Sequence, residues 1–186
     1  MGALKHDLPL AYPGMKIGLF GGSFDPAHEG HTHVAETALK RLALDRVWWL
    51  VSPQNPLKPK SSPFDARMRS AQGAAHGPAM VVTDLERRLG CAYTYQTLAA
   101  LRRHYPGVAF TLIMGEDNLA NFRRWRRWRD VAAAVPVVVV SRPGTNPAHR
   151  LNAPKHWTFL NAPHHFHSST AIRTKRRAAL AKAKRK

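Results

Sequence analysis

The chain has 186 residues, of which 29 are Lys or Arg and 11 are Asp or Glu, giving a formal net charge of +18 before any of the 11 histidines takes a proton. Such an excess excludes an indifferent surface and predicts attraction to phosphates, nucleotides, nucleic acid or an acidic membrane. With 44% hydrophobic residues the chain is not disordered; the single Cys91 excludes a disulfide framework or a cysteine-based zinc cluster and fits a reducing cytoplasm.

Residues 1–14, with Pro9, Pro13 and Gly14, read as a loose, flexible extension without a secretory signal. Residues 16–20 form a short buried strand stopped by Gly21-Gly22, and a helix over 30–42 carries Val34, Ala35, Ala38, Leu39 and Leu42 at helical spacing. A second apolar strand covers 46–51, and four prolines make 53–63 a loop. A helix over 64–75, a strand over 80–85, a helix over 94–104 and a strand over 108–114 follow. Residues 119–134 are helical with a break near Trp125. Strands over 137–141 and 157–160 come next, and a last helix starts near Ser168 and runs into a basic tail. The longest apolar run, residues 131–140 around Pro136, falls short of the about twenty residues that cross a bilayer, so no membrane partner is expected.

This βαβαβαβαβ pattern, with strands apolar throughout, predicts one α/β domain over residues 15–173. It is a Rossmann-like, doubly wound parallel sheet of five to six strands with helices on both faces. Ligands of such sheets sit beyond the carboxyl ends of the strands. After the first strand comes Gly21-Gly22-Ser23-Phe24-Asp25-Pro26-Ala27-His28-Glu29-Gly30-His31. The glycines allow close backbone approach, and the helix start offers N–H groups and a positive dipole end. His28 and His31, three apart at that start, both reach one phosphate chain. A two-histidine metal site is the competing reading, with no third ligand evident. Neither a Walker loop nor a Gly-x-Gly-x-x-Gly fingerprint is present.

The segment from Gly21 to His31 resembles the His-x-Gly-His signature of nucleotidyltransferases that move a nucleoside monophosphate from a triphosphate to an acceptor phosphate. His167-Ser168-Ser169-Thr170-Ala171-Ile172-Arg173 resembles the Ile-Ser-Ser-Thr-x-Ile-Arg box of the same superfamily; chemically it is a cluster of capping hydroxyls with an arginine one turn on. The segment Gly115-Glu116-Asp117 with Phe122, Trp125 and Trp128, and Tyr93-Thr94-Tyr95-Gln96-Thr97-Leu98, resemble two segments of the bacterial nicotinate-nucleotide adenylyltransferases. An indole such as Trp125 suits a flat pyridine ring, whereas Trp128, three residues along the same helix, is expected in the core. After the second strand, Leu57 stands where that family has a histidine, and Lys58 keeps the cation.

The resemblance implies transfer of AMP from ATP to nicotinate mononucleotide, a late step of NAD synthesis. It implies His28, His31 and Arg173 as catalytic groups on the triphosphate. Gly21, Gly22, Ser23, Phe24, Gly115, Asp117, Ser168, Ser169 and Thr170 complete the ATP site, and Lys58, Thr94 and Trp125 hold the mononucleotide. Magnesium travels with ATP, bound through phosphates and water without a protein metal site. A related transferase with another acceptor, such as nicotinamide mononucleotide or phosphopantetheine, is one alternative. A basic nucleic-acid-binding module is another. Seven of the basic residues lie in the acid-free tail, residues 174–186, expected to bind polyanions weakly.

Overall fold

A computed structural model describes residues 8–53, 61–141, 153–154 and 156–161. Six strands form one wholly parallel sheet: β1 (Lys16–Gly22), β2 (Arg46–Val51), β3 (Met80–Thr83), β4 (Ala109–Gly115), β5 (Val137–Val140) and β6 (Thr158–Leu160). Their order is β3-β2-β1-β4-β5-β6. The order reverses between β1 and β4, where Phe20 lies opposite Ile113, so the crevice of this Rossmann-like sheet opens above those two strands.

The strands are apolar without alternation because both faces are covered. Adjacent residues point to opposite faces, and both members of each pair are buried. Trp48, Val137 and Val139 join one core cluster, while Trp49, Val138 and Val140 join the other. The second cluster is closed by α1 (Glu29–Arg41) through Val34, Ala35 and Ala38, and by α2 (Phe64–Ala74) through Ala71. The first is closed by α3 (Leu85–Arg88), α4 (Thr94–His104) and α6 (Trp128–Ala134), through Leu85, Leu98, Leu101 and Val131. Among the described residues no helix is long and apolar enough to cross a membrane.

Three details depart from the expected outline. Residues 8–14 are not loose: Tyr105 Oη donates to the Pro9 carbonyl at 2.7 Å, Arg46 Nη1 to that of Leu10 at 3.0 Å, and Gly14 N to that of Gly107 at 2.8 Å. The third strand ends early, at Thr83, because the Thr83 hydroxyl accepts the Leu85 N–H and turns the chain into α3.

The helix expected over 119–134 is three pieces: α5 (Glu116–Leu119), a 3₁₀ turn (Phe122–Arg124) and α6. Trp125 is extended and Arg127 left-handed at φ 53°, so Trp125 and Trp128 do not share a helix. The cause is aromatic. Phe122 is buried against Trp125, Trp128 and Trp157, with ring centroids 5.2, 6.1 and 4.7 Å away, and this packing overrides helix propensity. The expected final helix lies outside the described residues.

Candidate active site

The loop between β1 and α1 is held from below. Phe24, at φ 46°, occupies the left-handed region that favours glycine, and its ring is buried against Phe20, Trp49 and His31 with centroids 5.5, 5.1 and 5.2 Å away. Phe24 therefore presents backbone, not its ring, to a ligand. A Cβ on Gly22 would sit 3.0 Å from that ring, so Gly22 makes room for it. A Cβ on Gly21 would meet nothing within 4 Å, so the backbone there faces open space.

His28 is the N-cap of α1 and is nearly buried. Its Nδ1 accepts the Gly30 N–H at 3.1 Å, and His31 Nδ1 accepts the His28 N–H at 3.3 Å. The ring centroids are 3.9 Å apart. Each cap consumes an Nδ1 lone pair, which leaves Nε2 as the proton-bearing donor on both rings. Two side-chain donors thus share the helix start with its backbone N–H groups and dipole, a composite seat for phosphate oxygens. The pairing of the histidines was legible in the sequence; their capping of one another was not.

Gly115 ends β4 across the crevice, and the exposed Asp117 follows in the first turn of α5. Thr94 opens α4, which runs back from the carboxyl edge of the sheet to start β4. Arg126 lies over the Tyr93 ring at 5.0 Å and Arg127 over the Tyr95 ring at 4.9 Å, so the turn bearing Trp125 is drawn across the residues that flank Thr94. Hydrogen bonding to Tyr93 favours the charged form of Arg126. Lys58, Ser168, Ser169, Thr170 and Arg173, like Leu57, lie outside the described residues.

Two residues were missed by sequence reasoning. Arg67, 2% exposed, donates to four main-chain carbonyls. Burial lowers its pKa, and Asp25 opposes that shift. Its signal was a charge on the stripe of α2 that also carries the buried Ala71. Glu86, on α3, accepts from the Thr97 hydroxyl at 2.9 Å under the first turns of α4. Burial pushes its carboxyl up to about 7, against the lowering effect of that hydrogen bond. The nearby Cys91 thiol is pushed up first by burial and then by Glu86. Among the described residues no three His, Cys, Asp or Glu side chains are grouped as a metal site.

A family model described as cytidylyltransferase-like matches residues 19–175. A Roseobacter denitrificans protein named nicotinate-nucleotide adenylyltransferase is 46% identical over 195 residues, covering 92% of this chain and 98% of its own. One of the same name from Cereibacter sphaeroides is 51% identical over 179 residues, covering 86% and 97%. Plasmodium falciparum nicotinic acid mononucleotide adenylyltransferase, solved in complex with NaAD, superposes with a TM-score of 0.72 over 86% of this chain and 83% of that one, at 18% identity. That last likeness concerns the fold.

Proposed function

Since the chain belongs to the cytidylyltransferase-like family and, within it, to the nicotinate-nucleotide adenylyltransferases, we propose that it moves AMP from ATP to nicotinate mononucleotide. The products are nicotinate adenine dinucleotide and pyrophosphate. The observation that carries this reading is the mutually capped His28–His31 pair at the carboxyl end of β1, beside the point where strand order reverses.

An oxygen of the mononucleotide phosphate attacks the α-phosphorus of ATP, and the bond from that phosphorus to the bridging oxygen of the β-phosphate breaks. The attacking group is already anionic near neutral pH, so no strong protein base is required. Catalysis rests on in-line placement and on charge stabilisation at the α-phosphate and the departing pyrophosphate. His28 and His31 donate from Nε2 to the triphosphate, with backbone of Gly21, Gly22, Ser23 and Phe24 beside them. Gly115 and Asp117 lie against the adenosine. Arg173 and the hydroxyls of Ser168, Ser169 and Thr170 take the β and γ groups. Trp125 faces the pyridine ring, Thr94 its carboxylate and Lys58 the mononucleotide phosphate. Magnesium bound through the phosphates of ATP would supply charge neutralisation at the leaving pyrophosphate.

The test is pyrophosphate release with ATP, magnesium and, in turn, nicotinate mononucleotide, nicotinamide mononucleotide and phosphopantetheine. The reading requires the first acceptor to give the highest kcat/KM. A preference for phosphopantetheine would overturn it. Deletion of residues 174–186 is expected to remove polyanion binding and spare transfer; loss of transfer would move the tail into the site.

A further inference from the structure

Arg67 is a buried cation whose guanidinium donates to four main-chain carbonyls. Nε donates to Ser62 at 3.0 Å, Nη1 to Ser23 at 3.0 Å and to Ser52 at 2.8 Å, and Nη2 to Pro53 at 2.8 Å. These acceptors belong to separate pieces of chain. Ser23 is in the loop after β1, Ser52 and Pro53 follow β2 directly, and Ser62 lies just before α2. Other bonds stitch the same junction. Ser52 donates to the Gly22 carbonyl from both N and Oγ, at 3.0 and 3.1 Å, and the Asp25 carboxylate accepts the Ser62 N–H at 3.1 Å.

In a trans peptide the C=O and the following N–H point in opposite directions. The cis bond in this loop is Asp25–Pro26, so the Ser23–Phe24 peptide is trans. Arg67 draws the Ser23 oxygen inward and thereby turns the Phe24 N–H outward, away from the guanidinium. A planar fork with five donors fixes several carbonyl directions at once; an ammonium on a flexible stem does not.

We propose that Arg67 is a positioning residue for adenylyl transfer. It sets the Ser23–Phe24 peptide of the triphosphate loop and locks that loop to both anchors, Ser52–Pro53 and Ser62, of the segment whose sequence contains Lys58. It touches neither nucleotide. The inference rests on the function proposed above, because it matters only where a donor and an acceptor phosphate must be aligned. A misplacement of about 1 Å costs roughly 10²-fold in such a reaction.

The experiment compares wild type with Arg67→Lys, which keeps the charge and loses the fork. Both are assayed well below the variant's melting temperature, with kcat for nicotinate mononucleotide beside the Kd of ATP alone. The expected result is a kcat lower by about 10²-fold with the ATP Kd within about five-fold of wild type. A lost fold would weaken both together. A folded variant with kcat within about three-fold of wild type overturns the proposal, and so does an ATP Kd weakened as much as kcat. Should Arg67→Lys not fold, Asp25→Ala removes the acceptor of the Ser62 N–H and loosens the same junction without removing the buried cation. It is expected to lower kcat several-fold at unchanged ATP affinity, and an unchanged kcat overturns the proposal. Wild type inactive on nicotinate mononucleotide overturns the functional reading itself, and the proposal with it; active wild type beside an equally active Arg67→Lys overturns the proposal alone.

Discussion

The two halves of the candidate site are tied to their neighbours by different means. The loop after β1 is ordered from inside, by the buried ring of Phe24, the reciprocal histidine caps and the guanidinium of Arg67. The turn bearing Trp125 rests on the buried Phe122 ring beneath it, and is tied to the tyrosines that flank Thr94 only from outside, by arginines laid over their rings at the surface. Buried ties with fixed geometry resist rearrangement, whereas exposed cation–ring pairs are individually weak and yield to substitution. On the proposed reading the triphosphate meets a preset cradle, and the mononucleotide meets a platform whose grip is adjustable.

Breaking the cradle should cost most. His31→Ala removes an Nε2 donor and half of the reciprocal cap, and turnover should fall by about 10²- to 10³-fold, the scale of one lost transition-state donor. Near-normal kcat in a pyrophosphate assay would remove His31 from the mechanism.

The platform has a buried support of its own in Glu86, and here the expected effect is on stability. Folded, Glu86 keeps its proton to about pH 7, against 4.5 for an ordinary glutamate. Between those values the folded chain binds the extra proton, so the contribution of Glu86 to stability is fully present below about 4.5 and is lost as pH rises to about 7. The loss amounts to about 3 kcal/mol at most. Glu86→Gln should flatten that slope in denaturant melts at pH 5 and pH 8. An unchanged slope would show that Glu86 does not titrate in this window.

The glycines separate folding from ligand approach. Gly22→Ala forces a methyl against the Phe24 ring and should cost about 1–3 kcal/mol of stability. Gly21→Ala, with nothing within 4 Å of the new Cβ, should melt like wild type and raise the KM for ATP. Equal melting of the two variants would contradict the packing described for Phe24.

Arg126→Ala loosens one surface tie of the platform. A rise of a few-fold in the KM for the mononucleotide is expected, with kcat nearly unchanged and a smaller effect in high salt. Trp125→Ala should raise the same KM further. If only the KM for ATP moved in either variant, the platform would belong to the donor side.

The fold was largely legible because a sheet covered on both faces needs strands apolar at every position, and Arg46–Val51 and Val137–Val140 have that property. The first loop was legible because its glycines and histidines stand in one contiguous string after the first strand. The three pieces between Glu116 and Ala134 were less so: a break near Trp125 is visible in the string, but the aromatic partners that impose it, Trp157 among them, are distant in sequence. Arg67 was illegible for a different reason. A buried arginine is spelled like a surface one, and its partners are peptide carbonyls, which every residue carries.

The anchoring of residues 8–14 bears on how the molecule can be handled. Their partners, Arg46 at the start of β2, Tyr105 just after α4 and Gly107 just before β4, all stand at the amino edge of the sheet. The crevice opens at the other edge. A fusion partner or tether joined ahead of Leu8 therefore hangs from the far side of the molecule, and a chain immobilised that way presents the crevice above β1 and β4 to solution.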